Sequence, residues 1–498
     1  MARVVGFFSF FAFLFGLSPG AVRAQGDPET ETAHAHDSHV VDPHGADGHG
    51  NGQGHGHGSR IPDVAKPLQE DDVPERPFTL ELGNPFLGKG ELWEGFRLPT
   101  GAVWQPNLLL FGSYRSAIQI NENNDLTRSD WANRLDLNGN LQLSGTERFQ
   151  IGFRPLDRDG DFSGYRFNPQ DESVDGTNFE ISTVFFEGDF AEIFPELDPD
   201  DKYPLDFGFA VGRQGILIQE GVMINDRLDS VGIARNTLLP GGNVSNWRAT
   251  PFFAWDNVTR RFRNPGGSRS NRDDRHAQIA GLFNAFDFPL VTANADMAFL
   301  FNSSNGNGFF WGASGVGRVG KINTSVRVDM SVPLESETRA MRFGTLLFGE
   351  LSTSPPWPHH TNNILYLNGF WGIEEYSSAA RDFSVGGPLG RTGILFAAVG
   401  LGDYGAPLGN DADRAAGGSL GYQAFFDGIK KQVILEVGGR GSTGTSENAA
   451  FAVGARYQQA FHFLRPYLNW ILRFDVFVGG AENSTANGGG RAEVQIKF

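Results

Sequence analysis

Apolar and polar residues alternate along most of the chain, beginning near Trp104. A period of two indicates β-strands whose two faces meet different surroundings. The clearest segments are about 9–12 residues long, which suits a tilted strand that crosses a bilayer. They are residues 134–143, 291–301, 322–332, 432–440 and 466–478.

The two faces of these segments differ in an unusual way. One face is Leu, Ile, Val and Phe, and the other carries arginine together with Asp and Glu, while lysine is scarce. A soluble sandwich also alternates, but its water-facing side is usually rich in lysine. An apolar face toward lipid and a polar face toward a water-filled lumen fit better. Because only a closed barrel satisfies the backbone of such strands in lipid, the pattern predicts an all-β, transmembrane, antiparallel up-and-down β-barrel.

Turn lengths give the strand number and the orientation. Tight turns fall at 144–147, 287–290, 319–321 and 429–431, and long irregular segments at 157–177, 259–275 and 375–416. Short turns are periplasmic and long loops extracellular in bacterial barrels. Eighteen strands result, with both chain ends periplasmic, and sixteen is the nearest alternative. We expect them at 104–120, 134–143, 147–156, 178–188, 207–214, 227–238, 247–258, 276–286, 291–302, 309–318, 322–332, 339–351, 364–374, 417–428, 431–441, 449–460, 465–478 and 490–498.

The two chain ends carry targeting signals. Residues 1–24 read as a secretory signal peptide, with an apolar run and cleavage expected after Ala24. Residues 25–77 are His-rich and acidic and too poor in apolar groups to fold, so a disordered periplasmic tail precedes a barrel at 78–498. The chain ends on an alternating strand that closes with Phe498, which resembles the signal read by the barrel assembly machinery. We therefore expect a bacterial outer-membrane protein that contacts lipid and lipopolysaccharide.

Composition excludes several classes of protein. The chain has no cysteine, so disulfides, iron–sulfur clusters and covalently attached c-type haem are excluded. Its formal net charge is −17, which argues against nucleic acid as a partner.

Charged residues on the polar parity form the candidate lumen lining. They either select polar or anionic solutes or form cross-strand ion pairs that stiffen the wall, and nearby acids favour ion pairs for most of them. The predicted pore-lining residues are Arg134, Asp136, Arg148, Arg154, Arg213, Asp296, Arg327, Asp329, Arg342, Glu350, Glu436, Arg440, Arg456, Arg473 and Asp475.

Three loops offer alternatives. An eighteen-strand barrel is too wide for its own side chains to fill, and 375–416 contains the apolar run TGILFAAVGL. It either folds inward as a constriction or extends outward as a hairpin. DRDGDFSG at 157–164 resembles part of a calcium loop through Asp157, Asp159 and Asp161, but a plain loop fits better. The basic segment 260–276 either contacts lipopolysaccharide or a solute, or is a solvated loop, which we favour.

The tail holds seven of the eleven histidines. Flexible His-rich tracts bind Zn²⁺, Cu²⁺ or Ni²⁺ loosely, and the alternative is a solvated linker of biased composition. No cofactor is required. The histidines concerned are His34, His36, His39, His44, His49, His55 and His57.

Enzyme motifs occur without their structural context. GVGRVG at 315–320 matches a dinucleotide fingerprint, but no helix follows it. GGSLG at 417–421 matches a nucleophile elbow, but it opens another barrel strand. Neither motif supports catalysis, so we expect a protein that is not an enzyme.

One short segment resembles a known family. Residues 207–236 contain Gly212, Arg213 and Gln214 at a strand end, followed by Asp226 and Asp229 in a D-x-x-D spacing. This pattern is similar to alginate-export-type outer-membrane porins. The resemblance implies a monomeric eighteen-strand barrel that passes sugar acids or small solutes.

These patterns predict a porin for the passive diffusion of hydrophilic small solutes, with sugar acids or other anions as candidates. The alternative is a barrel that sheathes a partner such as a multihaem cytochrome. A barrel enzyme such as a lipase is a second rival, without a convincing Ser–His pair.

Overall fold

The computed structural model describes residues 80–83, 93–123, 126–197, 205–265, 268–355, 362–427, 429–444, 449–462, 469–482 and 487–498. The predicted signal peptide and the His-rich tail lie outside these residues. The predictions made for them are therefore left as predictions.

Eighteen antiparallel strands, each paired with its neighbours in the sequence, form a closed barrel. The strand number and the barrel class predicted from the alternation are confirmed, and sixteen strands is wrong. The strands are β1 (Asn107–Asn123), β2 (Leu126–Gln142), β3 (Arg148–Phe153), β4 (Ile181–Asp189), β5 (Gly208–Ile218), β6 (Ile224–Leu238), β7 (Asn246–Asp256), β8 (Gln278–Asp287), β9 (Val291–Phe301), β10 (Gly308–Val319), β11 (Ile322–Pro333), β12 (Gly344–Thr353), β13 (Ile364–Glu374), β14 (Ala415–Phe426), β15 (Lys431–Ser442), β16 (Ala450–His462), β17 (Asn469–Ala481) and β18 (Asn487–Lys497).

The last strand closes the barrel on the first. Lys497 of β18 lies opposite Ser113 of β1. The backbone N–H of Gly112 donates to the carbonyl of Phe498 at 2.7 Å, and the N–H of Phe498 donates back at 3.1 Å. The short strand Leu80–Gly83 pairs with β1 just beyond this point, opposite residues 107–110. Residues 80–83 and the last strand therefore lie along the same edge of β1.

The two rims of the barrel differ. The rim where β1 begins and β18 ends, here the terminal rim, has tight connections such as 143–147, 288–290 and 320–321. The opposite rim, the loop rim, has the long connections 154–180, 257–277 and 375–414. This separation is the one that the turn lengths predicted.

Short elements decorate the rims. None of the helices in the described part of the chain is long and apolar enough to cross a membrane. The helices are Phe190–Ile193, capped by Asp189, with the 3₁₀ turns Pro195–Leu197 and Gln219–Gly221. The additional strands are Phe96–Arg97, Val103–Trp104, Asp157–Arg158, Asp161–Phe162, Gly164–Asn168, Glu172–Val174, Thr259–Arg263, Arg269–Asp273 and Ala380–Arg381.

The barrel is apolar outside. Val476 is 56% exposed, while the adjacent Asp475 is 6% exposed on the inner face. Met297 and Phe299 of β9 point outward in the same way, and Leu300 is buried between strands and loops. The alternation therefore places apolar side chains on the outer surface and charged or packed side chains inside.

Candidate solute passage through the barrel

Residues 375–414, here the inward loop, fold into the lumen. Its side chains Leu389, Leu395 and Phe396 are completely buried, against inner-wall residues Phe348 and Phe370 of β12 and β13. Of the two alternatives for this segment, the structure has the inward one.

The tip of the inward loop reaches β1 and β2. Arg115 Nη2 donates to the carbonyl of Val399 at 3.0 Å, and Arg134 Nη1 donates to that of Gly400 at 3.2 Å. Gln119 Nε2 donates to the carbonyl of Leu401 at 3.2 Å. Backbone carbonyls of the loop thus satisfy donors that the barrel wall presents to the lumen.

Glu436 of β15 holds the middle of the inward loop. Its carboxylate accepts the backbone N–H of Ile394 at 2.8 Å and that of Leu395 at 3.3 Å, and the Tyr366 hydroxyl donates to it. Gly393 has φ +52°, and a Cβ there would lie 2.5 Å from both carboxylate oxygens. Glycine is therefore required where the loop crosses this carboxylate.

A second, shorter segment also enters the lumen. The connection 219–223 between β5 and β6, here the inward turn, is buried apart from the exposed Glu220, and Met223 is completely buried. Gln219 Nε2 donates to Asp296 at 2.8 Å, and Arg327 Nη1 donates to the carbonyl of Gln219 at 3.3 Å. The sequence analysis placed a connection at 215–226, longer than the one observed, and did not predict that it enters the lumen.

Gly312 of β10 makes room for the inward turn. A Cβ at Gly312 would lie 2.6 Å from Asp329 Oδ1, 2.8 Å from Gln219 Cγ and 2.9 Å from Met223 Cε. Contacts this short do not occur without a shift of the neighbours, so the turn docks through a gap that only glycine leaves.

Strands β7 to β10 form one side of the lumen, here the apolar wall. Met223, Ile224 and Leu228 of the β5–β6 hairpin pack on it. This side of the barrel is filled by a dry contact between hairpin and wall. The inner-face residues of the apolar wall are Phe252, Ala254, Ile279, Phe283, Ala298, Leu300 and Phe310.

Strands β16, β17, β18, β1 and β2 form another side, here the polar wall. Glu493 accepts Arg115 Nε at 2.6 Å and Arg473 Nη1 at 3.4 Å, and it also pairs with Arg491. Asp475 pairs with Arg456 at 2.5 Å and with Arg491 at 3.3 Å. These four guanidiniums and two carboxylates, here the arginine cluster, hold two positive charges in excess.

An acidic cluster lies on β9, β11 and β12. Arg327 Nη2 lies 3.3 Å from Glu350 Oε2, and Asp296 and Asp329 flank the same region. Three carboxylates thus face one guanidinium. The exposed Glu220 of the inward turn and the exposed Arg391 of the inward loop both act electrostatically on Glu350. Within the described residues the guanidinium of Arg391 has no hydrogen bond or ion pair, so the inward loop brings a free positive charge to the acidic side.

Most predicted pore-lining residues lie on the inner face and are paired. Arg134 binds Asp136 at 3.0 Å, and Arg154 lies 2.9 Å from Asp136. Arg440 Nη1 donates to the carbonyls of Leu408 and Asp411 at 3.0 Å each. Arg148 pairs with Glu187 near the terminal rim. The remaining inner-face residues of the set are Asp296, Arg327, Asp329, Glu350, Glu436, Arg456, Arg473 and Asp475.

Two residues of the predicted set lie elsewhere. Arg342 precedes β12, which begins at Gly344, and its guanidinium pairs with Glu337 at 2.9 Å in a loop. Arg213 pairs with Asp229 at 2.8 Å, on the strand face opposite to Ile216 and Ile218, which pack on the interior core. Neither lines the lumen, because the first was placed in a strand that starts later and the second on the wrong face.

Two loop predictions have different outcomes. The segment 260–276, taken as a solvated loop, forms a hairpin packed on the inward loop, with Arg260 completely buried. At 157–164, Asp157 accepts the N–H of Gly160 at 3.1 Å and lies 3.8 Å from Arg154. No group of three metal-ligating side chains occurs among the residues that the structure describes.

The motifs at 315–320 and 417–421 lie at the end of β10 and within β14.

The sequence analysis left several interior residues out of the lining. They are Arg115, Gln119, Arg227, Arg381, Asp382, Asp411, Arg491 and Glu493. The alternation of β1 and β18 was a usable signal for Arg115, Gln119, Arg491 and Glu493. Asp382 and Asp411 of the inward loop carried none, because the arginines that they bind, Arg227 and Arg261, lie 155 and 150 residues away.

No family model matches the chain, and no curated protein matches it in sequence. Solved structures match its fold. OccK5 (OpdH) and the outer membrane protein opdK, both from Pseudomonas aeruginosa, have TM-scores of 0.51, with 10% and 9% identity; each comparison covers 78% of this chain and 98% of the other. OccAB4 from Acinetobacter baumannii has a TM-score of 0.50 at 9% identity, over 80% of this chain and 100% of the other. At these identities the likeness establishes the barrel fold.

Proposed function

We propose that the protein is a porin of the bacterial outer membrane that lets hydrophilic small solutes diffuse passively. The observation that carries the proposal is a charged interior, narrowed by the inward loop, inside an apolar outer surface. The fold shared with the outer membrane protein opdK supports the location. In this orientation the terminal rim is periplasmic and the loop rim extracellular.

Anionic solutes, including sugar acids, are the favoured class. The arginine cluster holds two positive charges in excess on the polar wall, and Arg391 adds a free one on the inward loop. A low-dielectric wall strengthens the attraction of such groups for an anion. The resemblance of residues 207–236 to alginate-export-type porins points to the same class. The acidic cluster limits the preference, so we expect moderate anion selectivity.

The rival functions fit less well. A barrel that sheathes a cytochrome needs a wide empty lumen, whereas the inward loop and the inward turn occupy this one. A lipase needs a nucleophile beside a base, and among the described residues no hydrogen bond joins His276, at the loop rim, to a serine. Of the three functions, passive diffusion therefore agrees best with the described residues.

Single-channel recording of the mature chain in a planar bilayer tests the proposal. We expect stable openings and a reversal potential, in a salt gradient, that favours anions. Arg391→Gln lowers this preference, while Arg148→Gln, at a pair near the terminal rim, changes it less. A folded barrel that does not conduct would overturn the porin proposal. Conduction with cation preference would overturn the anionic class alone.

The chain ends give three further proposals. We propose that a signal peptide is cleaved after Ala24, and the mass of the mature protein tests this. We also propose that the assembly machinery recognises the strand ending at Phe498. Phe498→Ala tests this through the amount of folded barrel in the membrane. The seven tail histidines bind Zn²⁺, Cu²⁺ or Ni²⁺ loosely, with no role in the channel. Calorimetry of the whole protein against a variant with those histidines replaced by alanine measures this binding.

A further inference from the structure

A hairpin at the loop rim lies over the inward loop. It consists of Thr259–Arg263 and Arg269–Asp273 and is here called the clasp hairpin. Arg261 binds Asp411 through two atoms, Nε to Oδ1 at 2.5 Å and Nη2 to Oδ2 at 2.7 Å. Asn271 Nδ2 donates to the carbonyl of Asp382 at 2.6 Å. A two-point guanidinium–carboxylate contact fixes both position and direction.

The clasp hairpin also holds both ends of the inward loop. Arg263 Nη1 lies 2.8 Å from Glu375, the first residue of the loop. Arg269 Nη2 lies 2.5 Å from Asp413, next to its last residue, and 3.4 Å from Glu375. Three arginines of one hairpin therefore form ion pairs with the base of the inward loop, where the loop leaves β13 and enters β14.

The hairpin is itself anchored away from the inward loop. Arg260, completely buried, donates to Asp274 at 3.1 Å and to the carbonyls of Gly306 and Ala340 at 2.9 Å each. These partners belong to neighbouring loops of the loop rim. The anchor therefore stays in place when contacts to the inward loop break.

Two other arginines near the same hairpin turn away. Arg272 Nη2 donates to Asn264 within the hairpin at 2.7 Å, and Arg275 is 86% exposed beside Asp273. Neither touches the inward loop. Replacing these two arginines removes positive charge from this rim without removing a contact to the inward loop. They therefore provide a control for substitutions at Arg261 and Arg269.

We propose that the clasp hairpin is a reversible clasp for the inward loop, held by Arg261, Arg263 and Arg269, and that its release lets the loop base move and changes the width of the passage. The side chain of Arg263 is 38% exposed and those of Arg261 and Asp411 are 14% and 27% exposed, whereas Arg269, Asp413 and Glu375 are nearly buried. Salt screens the more exposed pairs most, so the contacts of Arg263 and Arg261 break before that of Arg269 with Asp413. The apolar packing of Leu395 and Phe396 keeps the rest of the loop in the lumen. This inference rests on the proposed channel function.

Single-channel recordings of the full mature chain test the clasp. Arg261→Gln/Arg269→Gln is compared with Arg272→Gln/Arg275→Gln, which removes the same charge from the same part of the rim. We expect several-fold more transitions between conductance levels in the first variant and wild-type behaviour in the second. Raising the salt from about 0.1 M to about 1 M shortens the screening length from about 10 Å to about 3 Å and moves the wild type part of the way toward the first variant, because the nearly buried pair of Arg269 is screened less.

A charge exchange and a non-electrical measurement complete the test. Arg261→Asp/Asp411→Arg restores quiet recordings if the pair acts as a clasp. Equal noise in the two double variants overturns the clasp. A wild-type barrel without conductance contradicts the channel function instead. In that case hydrogen–deuterium exchange of the backbone amides of the inward loop decides: faster exchange in Arg261→Gln/Arg269→Gln than in its control supports the clasp, and equal rates overturn it.

Discussion

The apolar wall and the polar wall belong to one barrel and have the same alternating strand pattern, yet the side chains that they present to the lumen differ. On β7 to β10 the inner face is Phe252, Ile279 and Leu300, which pack against the inward turn. On the polar wall the inner face carries the arginine cluster. Arg115 of that cluster and the neighbouring Arg134 donate to backbone carbonyls of the inward loop. One wall is filled by packing and the other keeps polar groups in reach of water.

The difference shows how a wide barrel becomes narrow without losing a hydrated path. Apolar packing gives the inward segments a firm base on one side, since dry contacts tolerate little rearrangement. Charges on the other side stay paired but are partly accessible, as the side chains of Arg456 and Arg473 are. We therefore expect stability effects from both walls and, of these two walls, selectivity effects mainly from the polar wall.

The largest effect is expected from Glu493→Gln on the polar wall. This change leaves Arg115, Arg473 and Arg491 without the carboxylate that they share. Breaking a buried ion pair by removing one partner costs about 3–5 kcal/mol. Urea unfolding of the barrel in lipid measures the loss, and the reversal potential shifts toward anions. The control is Glu187→Gln, which breaks a more exposed ion pair with Arg148 near the terminal rim. An equal loss of unfolding free energy in that variant would contradict the shared role of Glu493.

Leu300→Ala on the apolar wall is expected to cost somewhat less, about 2–4 kcal/mol, because it opens a cavity under the inward turn. Its side chain is completely buried, whereas that of Phe299 points outward. The same unfolding experiment applies, with Phe299→Ala as the neighbour on the other face. Anion preference stays unchanged in both variants. A large change in selectivity with Leu300→Ala would mean that the walls do not divide their roles.

Acidity is expected to act through Asp413 at the base of the inward loop. Burial raises the pKa of Asp413 to about 6, with Asp411 and Glu375 adding to the rise and Arg269 opposing it. Released into water, an aspartate titrates near its ordinary value of about 3.9. The clasped state therefore binds the proton more tightly, and lowering the pH from 7 to 5 favours it.

Recordings at the two pH values check this sign. We expect fewer transitions at pH 5 than at pH 7, and Asp413→Asn removes most of the difference. Burial tends to raise the pKa of Asp411, but Arg261 outweighs it and holds that pKa below the ordinary value. Asp411 thus stays ionised in this window. More transitions at pH 5 would contradict the assignment to Asp413.

The smallest effect is expected from Arg414→Gln at the loop rim. Arg414 pairs with Glu374 at 2.8 Å, but both side chains are about half exposed. Exposed pairs contribute less than about 1 kcal/mol. The unfolding free energy and the conductance should stay within error of the wild type, and a loss as large as that of Glu493→Gln would show that exposure does not separate the two pairs.

The barrel was readable from the sequence because lipid demands an apolar face over the full length of each strand. The inward loop was also indicated, since an apolar run such as TGILFAAVGL is out of place in a solvated loop. The inward turn was not. In GRQGILIQEGVM both parities are apolar, because one face meets lipid and the other meets packed protein. The same ambiguity misplaced Arg213.

The charged interior was predictable only in part. Alternation identifies that Asp475 and Arg473 point inward, but it gives no partner. Which acid pairs with which arginine depends on strand register and on loops such as the one that brings Asp382 to Arg227. A single sequence holds no record of contacts between residues 155 positions apart.

The seam between β1 and β18 has a consequence for the order of folding. Residues 113–122 of β1 pair with residues 488–497, so this edge stays bare until the end of the chain has been synthesised and delivered. Every other neighbouring pair of barrel strands is local in sequence, and contacts between distant residues form slowly. A strand with an open edge invites pairing with other chains. Closure of β18 on β1 is therefore the step at which folding and aggregation compete.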